Sequence, residues 1–130
     1  MDINTYVQKA AMLRQQGYNC CQATAVALTN QTTLTEEQLY QLASGFGLGM
    51  GNMEAACGAL VGVGMIAGLH CGGRGTVRLT RQISEQFRQM CGGAILCKEL
   101  KGISTGKVLC PCDQCVRNAI LAYFAVMGEP

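Results

Sequence analysis

Apolar residues recur at helical spacing along most of the chain. Ile3, Tyr6, Val7, Ala10 and Leu13 fall on one face of a helical repeat and Gly17 stops it, which predicts an amphipathic helix over residues 3–16. Asn19 is placed to cap a second helix from Cys20 to about Asn30, with Ala23, Val26, Ala27 and Leu28 as its apolar positions. Thr35-Glu36-Glu37-Gln38 carries a capping box, with a hydroxyl at the cap, Gln three residues on and acids in the first turn, so a third helix runs to about Ser44. No segment alternates apolar and polar residues for any length.

Glycine then occupies every second position from Gly45 to Gly51. Each interior glycine costs a helix on the order of 1 kcal/mol relative to alanine, so this stretch predicts a loop with positive φ angles or close backbone approach. A fourth helix is expected from Met53 to Leu69, with Gly58, Gly62, Gly64 and Gly68 leaving its sides bare for a neighbouring helix or a cofactor. After Gly72-Gly73 a charged helix runs from about Thr76 to Met90, with Val77, Ile83 and Phe87 partly inward. A helical turn is expected at Cys97-Lys98-Glu99-Leu100. Following a loop, a last helix begins near Asp113 and carries Val116, Ile120, Leu121, Phe124 and Met127. No linker or repeat divides the sequence, and the expectation is an all-α fold, one compact bundle of about five to six helices over residues 1–130.

Composition agrees with a packed domain: 49% of the residues are apolar and 14% charged, so disorder is not expected. Sparse charge leaves much of the chain to face the interior or another subunit, and a homo-oligomer is an open expectation. A net charge of +2 gives no reason to expect nucleic acid. Arg74, Arg78, Arg81 and Arg88 share a helical face, read as a solvated surface with an anionic partner as the alternative. The apolar stretch between Glu54 and His70 is 15 residues long, against about 20 for a membrane span, so no span is expected. The N-terminal Met1-Asp2-Ile3-Asn4 has no apolar run, which argues against a secretory signal and for a cytoplasmic protein.

Nine cysteines change the picture: Cys20, Cys21, Cys57, Cys71, Cys91, Cys97, Cys110, Cys112 and Cys115. An odd count with no signal and an adequate core is unlike a disulfide scaffold, and in a reducing compartment such thiols bind metal or do redox work. Cys110, Cys112 and Cys115 gather at a helix start, where amide groups and the helix dipole favour thiolate. Val116 rules out the CxxCH haem motif, no βαβ context supports a thioredoxin-like CxxC, and the bacterial ferredoxin run is absent. His70 is read as structural or exposed. What remains is a dispersed set, Cys20, Cys57, Cys97 and Cys115, each at or near a helical element. If the four converge they could bind an iron–sulfur cluster or tetrahedral zinc.

The same four cysteines carry a resemblance. Gly17-Tyr18-Asn19-Cys20, Phe46-Gly47-x-Gly49-Met50-Gly51, Cys57-Gly58-Ala59-Leu60-Val61-Gly62, Cys97-Lys98-Glu99-Leu100 and Cys115-Val116 follow in an order that resembles the C_GCAxxG_C_C family of redox-active proteins. The family is similar to the iron–sulfur part of split-Soret cytochromes, which implies an all-helical fold able to hold an iron–sulfur centre. It also implies Cys20, Cys57, Cys97 and Cys115 as the functional set. Three functions stay open: an iron–sulfur electron carrier or sensor working with a redox partner protein, a metal-free thiol–disulfide protein cycling pairs such as Cys112–Cys115 or Cys20–Cys57, and a structural zinc module.

Overall fold

The first three helices each begin at a side-chain oxygen that takes up an otherwise unpaired amide. In the computed structural model, which describes residues 1–130, Asp2 accepts from the Thr5 amide at 2.9 Å and opens α1 (Ile3–Gln15). Asn19 and Gln22 form a reciprocal capping box at α2 (Cys20–Ala27), and Thr35 and Gln38 form another at α3 (Glu36–Ala43). The chain continues through α4 (Gly58–His70), α5 (Thr76–Met90), α6 (Cys97–Leu100) and α7 (Cys112–Met127). Seven α-helices and a 3₁₀ turn at Thr29–Gln31 exceed the five to six expected, because the expected turn at Cys97–Leu100 forms a helix of its own and the three-residue 3₁₀ turn is too short to show a periodicity.

All eight residues of α2 are buried, so this helix is the centre of the packing. It is flanked by α1, α3, α4 and α7, while α5 covers α4 and α7. One apolar cluster runs through the molecule and includes Tyr6, Val26, Leu28, Leu39, Ile66, Ile83, Phe87, Ile120, Tyr123 and Phe124. The rings of Tyr6 and Phe124 meet at 5.0 Å and join α1 to α7. Thr24, the buried hydroxyl of α2, donates to the Ala59 carbonyl at 3.1 Å and ties α2 to α4.

Glycine makes the α2–α4 contact possible. A Cβ at Gly58 would lie 2.5 Å from the Cys20 sulfur, and one at Gly62 would lie 2.7 Å from the Cys21 carbonyl and collide with the Thr24 hydroxyl. Gly64 and Gly68 face Thr80 and Thr76 on α5 at looser separations of 3.6 and 3.8 Å.

Several boundaries differ from expectation. Helix α4 starts at Gly58 rather than Met53, because Leu48, Gly49, Met50, Gly51 and Met53 all have positive φ and turn the chain left-handed before it. Residues 55–57 then run beside 95–97: Ala56 pairs with Leu96, Cys57 N–H donates to Ile95 O at 2.8 Å and Cys97 N–H donates to Ala55 O at 3.0 Å. Helix α2 ends at Ala27, and Thr29 turns its hydroxyl onto the Val26 carbonyl at 2.6 Å. Helix α7 starts at Cys112 after Pro111, with Asp113 inside the first turn and 3.6 Å from Arg14. Val77 lies in the first turn of α5 and is 76% exposed rather than inward, whereas Ile83 and Phe87 are buried as expected.

The two kinds of glycine contact predict opposite effects. Gly62→Ala should destabilise the reduced protein by about 1–3 kcal/mol through overpacking against α2. Gly64→Ala should stabilise it by roughly 0.5–1 kcal/mol through helix propensity alone. Urea unfolding of the two variants checks the pair, and equal effects would contradict the packing described.

Candidate functional site

Four elements each bring one cysteine of the dispersed set to the same place. Cys20 is the first residue of α2, Cys57 sits at the cap position of α4, Cys97 is the first residue of α6 and Cys115 lies in the first turn of α7. All four are buried. They line one cavity of about 10 Å³ together with Leu100, Lys101, Cys110 and Cys112.

Local geometry explains the convergence. The short pairing of 55–57 with 95–97 puts Cys57 opposite Ile95 and Cys97 opposite Ala55, diagonal positions on one face of the pair. Gly49, at φ 54°, passes so close that a Cβ there would lie 2.7 Å from Cys97 Cβ and 2.9 Å from the Ala55 carbonyl. The bare face of Gly58 admits the Cys20 sulfur. The Leu100 carbonyl accepts from both Leu109 and Cys110 amides, at 3.0 and 3.1 Å, and holds the chain leading into α7 against α6.

The sulfurs share protons unequally. Thiols of Cys115 and Cys20 donate to Cys57, outweighing burial, and the Ala59 and Leu60 amides at the start of α4 add to them, so Cys57 is held well below the usual thiol range. Cys20 is pushed up, first by its bond to Cys57 and then by burial. Cys115 is pushed up by bonds to Cys57 and Cys91 and by burial, and Cys97 chiefly by burial, with Lys101 opposing. Burial lowers the Lys101 ammonium, but its hydrogen bond to Cys112 and the surrounding thiols win, and the net shift is upward. Negative charge in the cavity is thus favoured at the Cys57 sulfur and positive charge at Lys101.

A second group overlaps the first. The sulfurs of Cys91, Cys110 and Cys115 all lie within 4.8 Å of one another, a cysteine cluster that could hold a metal ion. Asn118 donates to the Cys91 sulfur at 3.3 Å. Sequence reasoning missed Cys91, Asn118 and Lys101 as neighbours of the site. Cys110 and Cys112 were legible as a dense cysteine run but not as cavity-lining residues. Cys21 packs away from the cavity against Met65, 3.8 Å between sulfurs, and burial pushes it up to about 12. Cys71 ends α4 outside the cavity. Of the two dithiol pairs suggested by the sequence, Cys20 and Cys57 both line the cavity and perturb each other's ionisation, whereas the Cys112 sulfur engages Lys101. His70 is exposed, its Nδ1 3.1 Å from the Gln31 carbonyl, and Arg74, Arg78, Arg81 and Arg88 are exposed.

The donor chemistry fits thiophilic metals. Six thiols line a cavity with no carboxylate or imidazole, the ligand type that selects zinc, Cu(I) and iron–sulfur clusters. About 10 Å³ is room for roughly one water-sized sphere; the sulfurs already within 4.8 Å of one another are those of Cys91, Cys110 and Cys115, so a single ion on Cys20, Cys57, Cys97 and Cys115 needs those sulfurs to close in and a cluster needs more room.

A family model described as "Putative redox-active protein (C_GCAxxG_C_C)" matches residues 18–124, and the chain belongs to that family. Neither the curated proteins nor the solved structures gave a match. No helix is long and apolar enough to cross a membrane.

The opposed shifts predict a pH profile for the reduced, metal-free protein. Stabilisation from Cys57 is complete above the free-thiol range and is lost as pH falls through its depressed folded value. Cys20 and Cys115 act with the opposite sign: their contribution is complete below the free-thiol range and is lost as pH rises through their raised values. Melting temperature should therefore peak between the two limbs, and Cys57→Ser should flatten the acid limb and remove the thiolate ultraviolet absorbance near neutral pH. An unchanged acid limb in that variant would contradict the assignment.

Proposed function

We propose that this C_GCAxxG_C_C-family chain is a cytoplasmic redox protein that holds an iron–sulfur centre on Cys20, Cys57, Cys97 and Cys115 for electron transfer or sensing with a partner protein. The observation that supports this most is the meeting of four thiols from four separate elements in one buried cavity beside a lysine. When bound, such a centre supplies one-electron chemistry.

The residues around the sulfurs have tuning roles in this proposal. The Ala59 and Leu60 amides face the Cys57 sulfur, and amide groups directed at sulfur raise reduction potential. Lys101 offsets part of the thiolate charge from within the wall, which also favours the reduced state. Burial of the four cysteines keeps water from the sulfurs and strengthens both effects. The partly exposed Cys112, engaged by Lys101, marks the side on which the site opens.

One observation favours a second function, a structural zinc site. The cavity, at about 10 Å³, takes a single tetrahedral ion with less rearrangement than a cluster. Anaerobic purification followed by iron, acid-labile sulfide and zinc analysis separates the two. The proposal expects brown protein with iron and sulfide in comparable amounts, and their loss in Cys57→Ser. Stoichiometric, slowly exchanging zinc without sulfide would support the structural site. Colourless protein that retains no metal after anaerobic reconstitution would exclude both.

A further inference from the structure

We propose that Cys91 and Cys110, which adjoin the four-cysteine set at Cys115, form a dithiol that small hydroperoxides convert to a disulfide. Neither residue belongs to the family motif. Cys91 ends α5 and Cys110 precedes α7, and their sulfurs are 3.5 Å apart. A disulfide needs a sulfur separation of about 2.05 Å and Cβ atoms about 3.5–4.5 Å apart. The adjoining backbones already run close, since a Cβ at Gly92 would lie 3.5 Å from Leu109 Cβ. Side-chain rotation thus has little left to close.

The pair has its own polar cradle. The buried Asn118 Nδ2 donates to the Cys91 sulfur at 3.3 Å, lies 3.8 Å from the Cys110 sulfur and reaches the Met90 carbonyl at 3.2 Å. Gln114 donates to Asn118 Oδ1 at 3.3 Å and so turns the amide NH₂ toward both sulfurs. Besides satisfying the Met90 carbonyl, the amide favours negative charge on the attacked or leaving sulfur. Cys91 and Cys110 are 1% and 2% exposed, but an open groove of about 330 Å³ lies among their chain neighbours, including Gly92, Gly93 and Leu109. Burial that deep excludes bulky disulfides and leaves a small hydroperoxide as the oxidant.

The Cys91 sulfur attacks the peroxide: an S–O bond forms, the O–O bond breaks and an alcohol, or water from hydrogen peroxide, departs. The Cys110 sulfur then attacks the Cys91 sulfur, forming the S–S bond, breaking S–O and releasing water. Two thiols and one hydroperoxide give one disulfide, the alcohol and water, with two electrons passing from sulfur to oxygen. A dithiol reductant reverses the change. The bridge closes the segment that carries Cys97 and Lys101.

The test uses the full chain, reduced anaerobically, treated with one equivalent of hydrogen peroxide, quenched in acid, alkylated and mapped by mass spectrometry. The expected product is a Cys91–Cys110 linked peptide pair, lighter by two hydrogen atoms and separated again by dithiothreitol. Its formation should slow several-fold in Asn118→Leu, while Cys21→Ser should leave it unchanged. Recovery of Cys91 and Cys110 as alkylated thiols while peroxide is consumed elsewhere would overturn the proposal, as would Cys110 paired with Cys112 or Cys115. Iron, sulfide and zinc assays on the same sample report separately on the four-cysteine site.

Discussion

Helix α4 lies against α2 at a distance that side chains would forbid, and the meeting of Cys20 with Cys57, on which the cavity is built, follows from it. At Gly58 the Cys20 sulfur occupies the space a Cβ would fill, and at Gly62 the backbone and hydroxyl of α2 do the same. The contact also brings the start of α4 to the start of α2, so Cys57 and Cys20 face each other across the seam. Close-packed interiors rarely allow such an approach without strain, and here the missing side chains allow it. The loop of alternating glycines completes the arrangement by passing over Cys97 and feeding the extended residues that pair with the segment before α6.

Gathering thiols in a dry cavity raises an electrostatic problem, since several thiolates in low dielectric would repel one another strongly. Protonation settles it in the metal-free state. One sulfur, Cys57, takes the negative charge, supported by neighbouring thiols and by amides at the start of α4. Cys20 and Cys115 stay neutral as donors, and Lys101 supplies the opposite charge. In the proposed function a soft cation takes the place of those protons.

Much of this was legible in the sequence where local chemistry decides the outcome. The capping boxes at Asn19 and Thr35 and the stop at Gly17 place the first three helices, and the glycine spacing of α4 anticipates a close neighbour. The four motif cysteines stand out in the sequence by their ordered, family-like flanks, although Cys57 was expected inside a helix and stands instead at its cap. The late start of α4 was hidden, since residues 53–57, apolar but for Glu54, suit a helix by composition, and the left-handed turn through Met53 and the pairing with residues 95–97 decide otherwise. Lys101, Cys91 and Asn118 were hidden for a similar reason. They reach the sulfurs through tertiary packing, and nothing in the spacing of an isolated lysine, cysteine or asparagine records where a folded neighbour will lie.

The central claim is that sulfurs from Cys20, Cys57, Cys97 and Cys115 surround one point and bind metal there. A crystal structure of anaerobically loaded protein, with anomalous scattering at the metal's absorption edge, tests it most directly. The account predicts an anomalous peak bounded by those four sulfurs, with Lys101 in the adjoining wall. A peak held only by Cys91, Cys110 and Cys115, or at the molecular surface away from the cavity, would contradict it.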